Sequence, residues 1–152
     1  MAKKTFGSPA ELLTSVGETF GPTDWIEITQ ERINRFADAT DDHQWIHVDV
    51  ERAKAGPFGG TIAHGYLTLS LCARFLFELC EVQNISMGIN YGVNKGRFPA
   101  PVRSGVRIRA RGELAEATEV AGGVQAVVRI TVESEGSEKP AAVIETVSRY
   151  LT

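Results

Sequence analysis

The sequence predicts an α+β fold in which an antiparallel β-sheet wraps around one long helix. Residues 66–80 are apolar on nearly every side, a pattern typical of a buried helix. Residues 102–114 and 124–132 alternate apolar and polar side chains, as strands with one solvent-facing side do, and residues 141–151 are a third run rich in β-forming residues. A buried helix followed by long strands therefore indicates a sheet that covers that helix.

The beginning of the chain predicts a short helix and then a strand. Ser8 is a suitable N-cap, Pro9 suits the first helical position, and Glu11 lies three residues after the cap. We expect this helix to end near Gly17. Residues 25–28 alternate weakly and are interpreted as a strand.

Two more helices are predicted before the central one. Thr29 caps a helix over residues 29–40, whose apolar side chains share one face. Asp49 caps a short helix, which ends where Gly56-Pro57 breaks the pattern. Residues 57–61 contain two glycines and a proline, so they form a loop in which the backbone bends closely.

Length and composition limit the classes of function. The 152 residues suit one domain, spanning residues 1–152, with 43% hydrophobic and 23% charged residues. A formal net charge of -3 gives no basic surface for nucleic acid, so we expect no nucleic-acid partner. The sequence contains no apolar run of about 18 residues and no signal-peptide pattern. We therefore expect a cytoplasmic protein with no membrane partner.

The cysteines and histidines predict neither a disulfide nor a metal site. Cys72 and Cys80 lie about 12 Å apart along the predicted helix, at 1.5 Å rise per residue. A disulfide needs Cα atoms within roughly 7 Å, so both are interpreted as small core residues in a reducing compartment. With three histidines, no CxxC pair, no P-loop and no GxGxxG, we expect no metal and no cofactor.

An acid and an imidazole stand between the predicted helices. The helical pattern stops near Thr40, and Asp42 and His47 follow, five residues apart on a predicted loop or turn. A carboxylate and an imidazole that meet at one water can serve as general acid and general base. Acid-rich turns also cap helices, and a histidine can simply pack in a core, so the pair alone leaves the structural interpretation open.

The order of these residues resembles the MaoC-like, (R)-specific enoyl-CoA hydratase family of hot-dog proteins. That family has an Asp, a His five positions later, and an Ile/Val-x-His-Gly that opens the central helix. This sequence has Asp42, His47 and Ile62-Ala-His-Gly65. Many members carry Asn-Pro two and three positions after the Asp, where this chain has Gln44 and Trp45.

The resemblance extends through most of the chain. Residues 88–92 and 95–102 are similar to the family's later strands. Together with residues 41–49, they are especially similar to the branch that contains nodulation protein N. The resemblance implies a single hot-dog domain and a homodimer that joins two sheets edge to edge.

The activity that the resemblance implies is the reversible syn addition of water to a trans-2-enoyl-CoA thioester, giving the (R)-3-hydroxyacyl thioester. His47 would be the base that activates water, and Asp42 would supply the proton to Cα. Gly65 would donate its N–H to the thioester oxygen, because the first helical residue has no intrahelical acceptor. Gly65 could instead merely pack the start of the helix against a strand.

Three other residues are candidates for contacts with the substrate. Gln44 keeps an amide that donates and accepts hydrogen bonds. His64 lies beside Gly65, where it would orient the start of the helix. Arg97 is a candidate for the phosphates of coenzyme A. Asp41 is the alternative to Asp42 as the catalytic acid, and only the family's five-residue spacing to His47 favours Asp42.

Three alternatives to the hydratase stay open at this point. A hot-dog thioesterase commonly uses a carboxylate from the central helix, where residues 66–79 offer only Glu78. A 3-hydroxyacyl-carrier-protein dehydratase would run the same chemistry backward on another carrier. A catalytically idle hot-dog subunit would bind acyl chains without turning them over.

Overall fold

A computed structural model describes residues 3–152 and places five helices and eight strands in them. The helices are Pro9–Leu13 (α1), Gln30–Thr40 (α2), Trp45–Val48 (α3), Val50–Lys54 (α4) and Gly65–Leu79 (α5). The strands are Lys4–Phe6 (β1), Thr19–Phe20 (β2), Ile26–Glu27 (β3), Cys80–Val82 (β4), Met87–Arg97 (β5), Arg107–Val120 (β6), Gly123–Ser134 (β7) and Ala142–Leu151 (β8). The predicted α+β class is confirmed.

The main sheet is antiparallel, with strand order β2-β6-β7-β8-β5, and β3 also pairs with β6. The strands predicted within residues 102–114, 124–132 and 141–151 are β6, β7 and β8. β6 begins later than predicted, because Gly105 has φ 90° and turns the chain just before Arg107. It also ends later, since only Ala121 and Gly122 separate β6 from β7.

The central helix α5 packs one face against the concave side of this sheet. Its residues Leu67, Cys72, Phe75 and Leu79 belong to the same buried core as the sheet residue Ile130, with other members at Ile108, Ala110 and Ile144. Burying each large apolar side chain of this kind contributes about 1.5–3 kcal/mol. The core therefore fixes the position of α5 and of the segment that leads into it.

The prediction that α5 is buried on every side is wrong for the isolated chain. Tyr66 is 70% exposed and Phe77 is 73% exposed, both on the face of the helix that the sheet does not cover. A single sheet can cover only one side of a helix, so among residues 3–152 this apolar face stays largely exposed, with Nζ of Lys3 lying 4.1 Å from the ring centroid of Phe77.

The first helix is shorter than expected. α1 ends at Leu13 rather than near Gly17, and the N–H of Gly17 instead bonds to the carbonyl of Leu114 on β6. Ser8 occupies the N-cap position without a side-chain cap bond, and the Glu11 carboxylate accepts from the N–H of Gly7. The Glu11 carboxylate thus bonds to the N–H of Gly7 rather than to the N–H of Ser8, which the predicted capping box would use.

Strands β1 and β4 form a separate parallel pair that the sequence pattern did not predict. Cys80 begins β4, and Cys72 lies on α5; both thiols are free and buried. Burial raises the pKa of Cys72 to about 12 and that of Cys80 to about 11, so both thiols stay protonated. Within residues 3–152, no helix is long and apolar enough to cross a membrane. Cytoplasmic localisation stays a prediction.

Candidate active site

The acid loop begins where α2 ends. Thr29 accepts a hydrogen bond from the N–H of Arg32 at 3.1 Å, which confirms the predicted N-cap. At the other end Asp41 adopts a left-handed conformation with φ 58°, which stops the helix and turns the chain. Asp42 follows, and its Oδ1 accepts from the N–H of Gln44 at 3.4 Å.

His47 lies on a one-turn helix, α3, rather than on the loop or turn that the sequence predicted. Only 7% of its surface is exposed, and its Nδ1 lies 2.7 Å from the carbonyl oxygen of Ile62. Because a carbonyl only accepts, Nδ1 carries the proton and donates it. In the neutral ring Nε2 therefore holds the lone pair, which is the arrangement that a general base requires.

His64 is the N-cap of α5 and packs directly against His47. The two rings stack with centroids 3.8 Å apart and planes 21° from parallel. Nε2 of His64 donates to the carbonyl oxygen of Asp42 at 3.0 Å. Its buried Nδ1 has no hydrogen-bond partner in the part of the chain that the structure describes. His64 thus ties the acid loop to the start of the central helix.

The structure brings Asp42, His47 and His64 together. A carboxylate oxygen of Asp42 and one ring nitrogen of each histidine all lie within 4.8 Å of one another. One water about 2.8 Å from the carboxylate and from a ring nitrogen can bridge such a gap. Asp41 is not a member of this cluster. The cluster can therefore bind and polarise a single water.

A metal ion fits this cluster poorly. Lone pairs of imidazoles lie in their ring planes, so two rings stacked 3.8 Å apart direct their nitrogens side by side rather than toward one point. His43 lies four residues before His47, a helical ligand spacing, but it pairs with Asp38 at 2.9 Å on the surface. The expected absence of a metal and of any other cofactor stays a prediction.

Gly65 is the first residue of α5, and its N–H donates to no residue between 3 and 152. A Cβ added here would lie 3.1 Å from the ring of Phe98. The glycine thus allows Phe98, which directly follows β5, to approach the start of the helix. Helix dipoles add positive potential at this end, so the free N–H suits an electron-rich oxygen.

The other predicted contact residues lie at the edge of this site. The Gln44 side chain is exposed and makes no cap bond to α3. Arg97 is exposed at the last position of β5, one residue before Phe98. Their proposed contacts with the substrate, and that of His64, stay predictions.

A pair of polar residues beside His47, Gln30 and Thr61, was not predicted from the sequence. Gln30 donates to the carbonyl oxygen of His47 at 2.8 Å and accepts from the hydroxyl of Thr61 at 2.5 Å. Gln30 lies 17 residues before His47, and Thr61 lies 31 residues after Gln30. No local pattern joins residues at such separations, so nothing in the sequence indicated this contact.

A cavity of about 710 Å³ runs beside α5 beyond the first turn of the helix. Leu69, Ala73 and Leu76 line it from the helix, and Ile89 and Val93 line it from β5. Most of its lining is apolar, so it suits a hydrocarbon chain.

The environment of His47 lowers its pKa below the ordinary value. Burial is the main cause, and the nearby His64 acts in the same direction. The hydrogen bond to Ile62 and the charge of Asp42 oppose this shift without cancelling it. His47 therefore stays neutral, and able to accept a proton, to lower pH than an unperturbed imidazole.

This shift makes stability depend on pH. We expect the free energy of unfolding to fall as the pH drops below about 6.5, because the unfolded chain then binds a proton that folded His47 resists. In His47→Gln the fall should be smaller. Urea unfolding at a series of pH values measures both slopes, and identical slopes in the two proteins would contradict the assignment.

Known proteins are similar to this chain over most of its length. The MaoC like domain family matches residues 11–136. The 3-hydroxyacyl-thioester dehydratase Z of Mycobacterium tuberculosis is 54% identical over 149 residues, covering 97% of this chain and 99% of the relative. Nodulation protein N of Rhizobium leguminosarum bv. viciae is 43% identical over 137 residues, covering 88% of this chain and 85% of the relative.

A solved structure supports the fold. The (R)-hydratase from A. caviae, described as involved in PHA biosynthesis, superposes with a TM-score of 0.72 at 22% identity. The match covers 88% of this chain and 95% of that chain. The predicted hot-dog fold is thereby confirmed, as is the resemblance to the branch that contains nodulation protein N. The chain belongs to the MaoC-like dehydratase family.

Proposed function

We propose that the protein is an (R)-specific enoyl-CoA hydratase, which adds water reversibly to trans-2-enoyl thioesters. One observation carries the proposal: the Asp42 carboxylate and the buried His47 imidazole meet beside the start of α5, where the Gly65 N–H is free. A water site next to a positively polarised N–H is what hydration of a thioester-conjugated double bond requires.

The reaction class, that of a hydro-lyase, rests on similarity to relatives. The chain is a hydro-lyase by its 54% identity, over nearly its whole length, to a 3-hydroxyacyl-thioester dehydratase. Dehydration and hydration are one reaction in two directions, and an enzyme accelerates both. The proposal adds the coenzyme A carrier, the stereochemistry and the roles of individual residues.

His47 would activate the water. Its Nδ1 is held by Ile62, so Nε2 takes one proton of the water while the water oxygen forms a bond to Cβ of the enoyl group. The lowered pKa of His47 keeps this nitrogen unprotonated at neutral pH. The electron pair of the double bond moves toward the thioester carbonyl, giving an enolate.

Asp42 and Gly65 would complete the addition. The N–H of Gly65 donates to the enolate oxygen, where the negative charge develops. The proton that His47 took from the water passes to the Asp42 carboxylate, which delivers it to Cα as the enolate collapses, so both groups return to their starting states. Because Asp42 and His47 lie within 4.8 Å of each other, hydroxyl and proton add to the same face of the double bond. Syn addition on one face gives the (R)-3-hydroxyacyl product that the family resemblance implies.

The two ends of the substrate would extend in different directions from Gly65. The acyl chain would follow α5 into the 710 Å³ cavity, whose walls are largely apolar. The coenzyme A arm would leave toward the end of β5, where Arg97 offers a charge for a phosphate.

A thioesterase fits this geometry less well. Glu78, the carboxylate that the sequence offered for that alternative, lies 13 residues beyond Gly65, about 20 Å along the helix at 1.5 Å per residue. It also forms an ion pair with Arg74 at 2.7 Å. A carboxylate so far from the free N–H cannot act on the same thioester carbonyl.

The test is hydration of crotonyl-CoA and of longer enoyl-CoAs, followed by loss of the enoyl-thioester absorbance. We expect turnover, with the (R)-3-hydroxyacyl-CoA as the product on chiral analysis. Turnover of enoyl-carrier-protein substrates alone would replace the coenzyme A carrier in the proposal. No turnover on either carrier would instead indicate an acyl-binding subunit without activity.

We also propose that two copies of the chain form a dimer through β5. β5 is the edge of the main sheet, so one row of its backbone N–H and C=O groups has no strand beside it. Met87, Ile89 and Val93 on this strand are exposed, as are Tyr66 and Phe77 on α5. Pairing of two β5 strands would continue the sheet and cover this apolar surface.

Light scattering after size-exclusion chromatography tests the dimer. We expect a mass of two chains for the wild type and of one chain for Val93→Lys, because a charge on an edge strand opposes strand pairing. Thr118→Lys on β6, exposed but away from this edge, is the control and should remain dimeric. A monomeric wild type contradicts the proposal.

A further inference from the structure

Gln30 and Thr61 form a polar strap that bonds to the backbone of His47, the candidate base. Gln30, the first residue of α2, donates from Nε2 to the carbonyl oxygen of His47 at 2.8 Å. Its Oε1 accepts from the hydroxyl of Thr61 at 2.5 Å. The second N–H of the same amide donates to Oδ1 of Asn34 at 2.9 Å. Both donors and the acceptor of the Gln30 amide are thus engaged, which fixes its orientation.

The strap joins the two segments that form the hydrogen bond between Nδ1 of His47 and the carbonyl of Ile62. The carbonyl end belongs to His47 itself. The hydroxyl end belongs to Thr61, which is buried. The next residue is Ile62, and its carbonyl oxygen accepts from Nδ1 of His47 at 2.7 Å. The N–H of Ile62 also bonds to the carbonyl of Ile46 at 3.0 Å. Gln30 and this backbone bond therefore together hold the imidazole close to the carbonyl that selects its tautomer.

We propose that Gln30 is a positioning residue for His47, which acts through the Thr61–Ile62 segment to hold Nδ1 protonated and Nε2 aimed at the water. The inference rests on the proposed function, in which His47 is the base. Gln30 contacts neither water nor substrate. Its effect is to keep the carbonyl of Ile62 in line with the ring.

Loss of the strap has a chemical consequence that simple destabilisation lacks. If the carbonyl of Ile62 moves away, the proton can redistribute between Nδ1 and Nε2, and a ring with Nε2 protonated cannot accept a proton there. Asp42 and His64 are the titratable groups that act on His47, and neither contacts the strap through its side chain. The tautomer of His47 is therefore a specific readout of Gln30.

The experiment compares Gln30→Met, which keeps the length of the side chain, with Thr61→Val and Thr61→Ser. We expect kcat to fall about ten-fold or more in Gln30→Met and Thr61→Val, with KM changed less than about two-fold, because a base out of line reacts slowly. Thr61→Ser retains the hydroxyl and should keep wild-type activity. The double variant should lose no more than either single one, because both remove one link.

A matched control is available on the far side of the sheet. Gln125 on β7 accepts from Nε of Arg149 at 3.0 Å, so Gln125→Met makes the same chemical change away from the site. It should leave kcat unchanged. A fall in Gln125→Met as large as that in Gln30→Met, or an unchanged kcat in Gln30→Met, overturns the proposal.

Nitrogen-15 NMR of the imidazole ring separates this inference from the proposed function. In the wild type we expect a protonated Nδ1 and a bare Nε2 on His47 at neutral pH, and in Gln30→Met a shift of both signals toward a mixture of tautomers. Identical ring signals in the two proteins overturn the positioning role. This measurement needs no turnover, so an inert wild type would reject the hydratase assignment without deciding the role of Gln30.

Discussion

Asp42→Asn and His47→Gln are each expected to lower kcat/KM for enoyl-CoA hydration by about 10² to 10⁴. Asparagine keeps the shape of Asp42 but cannot supply an acidic proton, and glutamine removes the base at Nε2. His47 is buried, and its Nδ1 is held by the carbonyl of Ile62, which leaves Nε2 to act as the base. Initial rates over a range of substrate concentrations measure both effects.

The double variant sharpens this prediction. Asp42 and His47 would act on one water, so Asp42→Asn/His47→Gln should lose little more activity than the weaker single variant. Losses that simply multiply would indicate two independent steps, and would contradict the shared water.

Neighbouring residues of the same chemical types supply the controls. Asp41→Asn changes the adjacent acid, which caps α2, and His43→Gln changes the histidine that pairs with Asp38 on the surface. Both variants should keep activity near that of the wild type. Activity lost in Asp41→Asn and kept in Asp42→Asn would exchange the roles of the two acids, a choice for which the sequence offered only the five-residue spacing.

Local chemistry explains the parts of the fold that the sequence predicted well. Thr29 and Asp49 cap α2 and α4 as expected, because a cap bond joins residues three apart and depends on little else. β7 was recognised because a strand beside a core repeats every two residues, and β8 because its residues favour strands. The central helix α5 begins at Gly65, the residue predicted to lie in its first turn.

Other parts depend on contacts that no local pattern encodes. β1 and β4 are three-residue strands, too short to show alternation, and they pair across about half of the chain. The strap from Gln30 to Thr61 has the same character. The apolar pattern of α5 predicted burial on all sides but could not say what buries Tyr66 and Phe77, which the sheet of one chain leaves exposed.

Gly65→Pro is expected to lower kcat by about 10² to 10³ relative to Gly65→Ala, the loss typical of one donor to a developing oxyanion. Proline has no N–H, and helices tolerate proline best at their first residue, the position of Gly65. His64 has φ −60° and ψ 138°, the extended conformation that a residue before proline prefers. The helix should therefore start normally in this variant, without the donor.

The comparison with alanine accounts for the added Cβ. Both substitutions add a Cβ that would lie 3.1 Å from the ring of Phe98. Phe98 is exposed, so its ring has room to shift. Only proline also removes the donor. Equal kcat values in the two variants would mean that Gly65 serves close packing alone, and the enolate would then need another donor. A large excess loss in proline would assign the charge of the enolate to the start of α5.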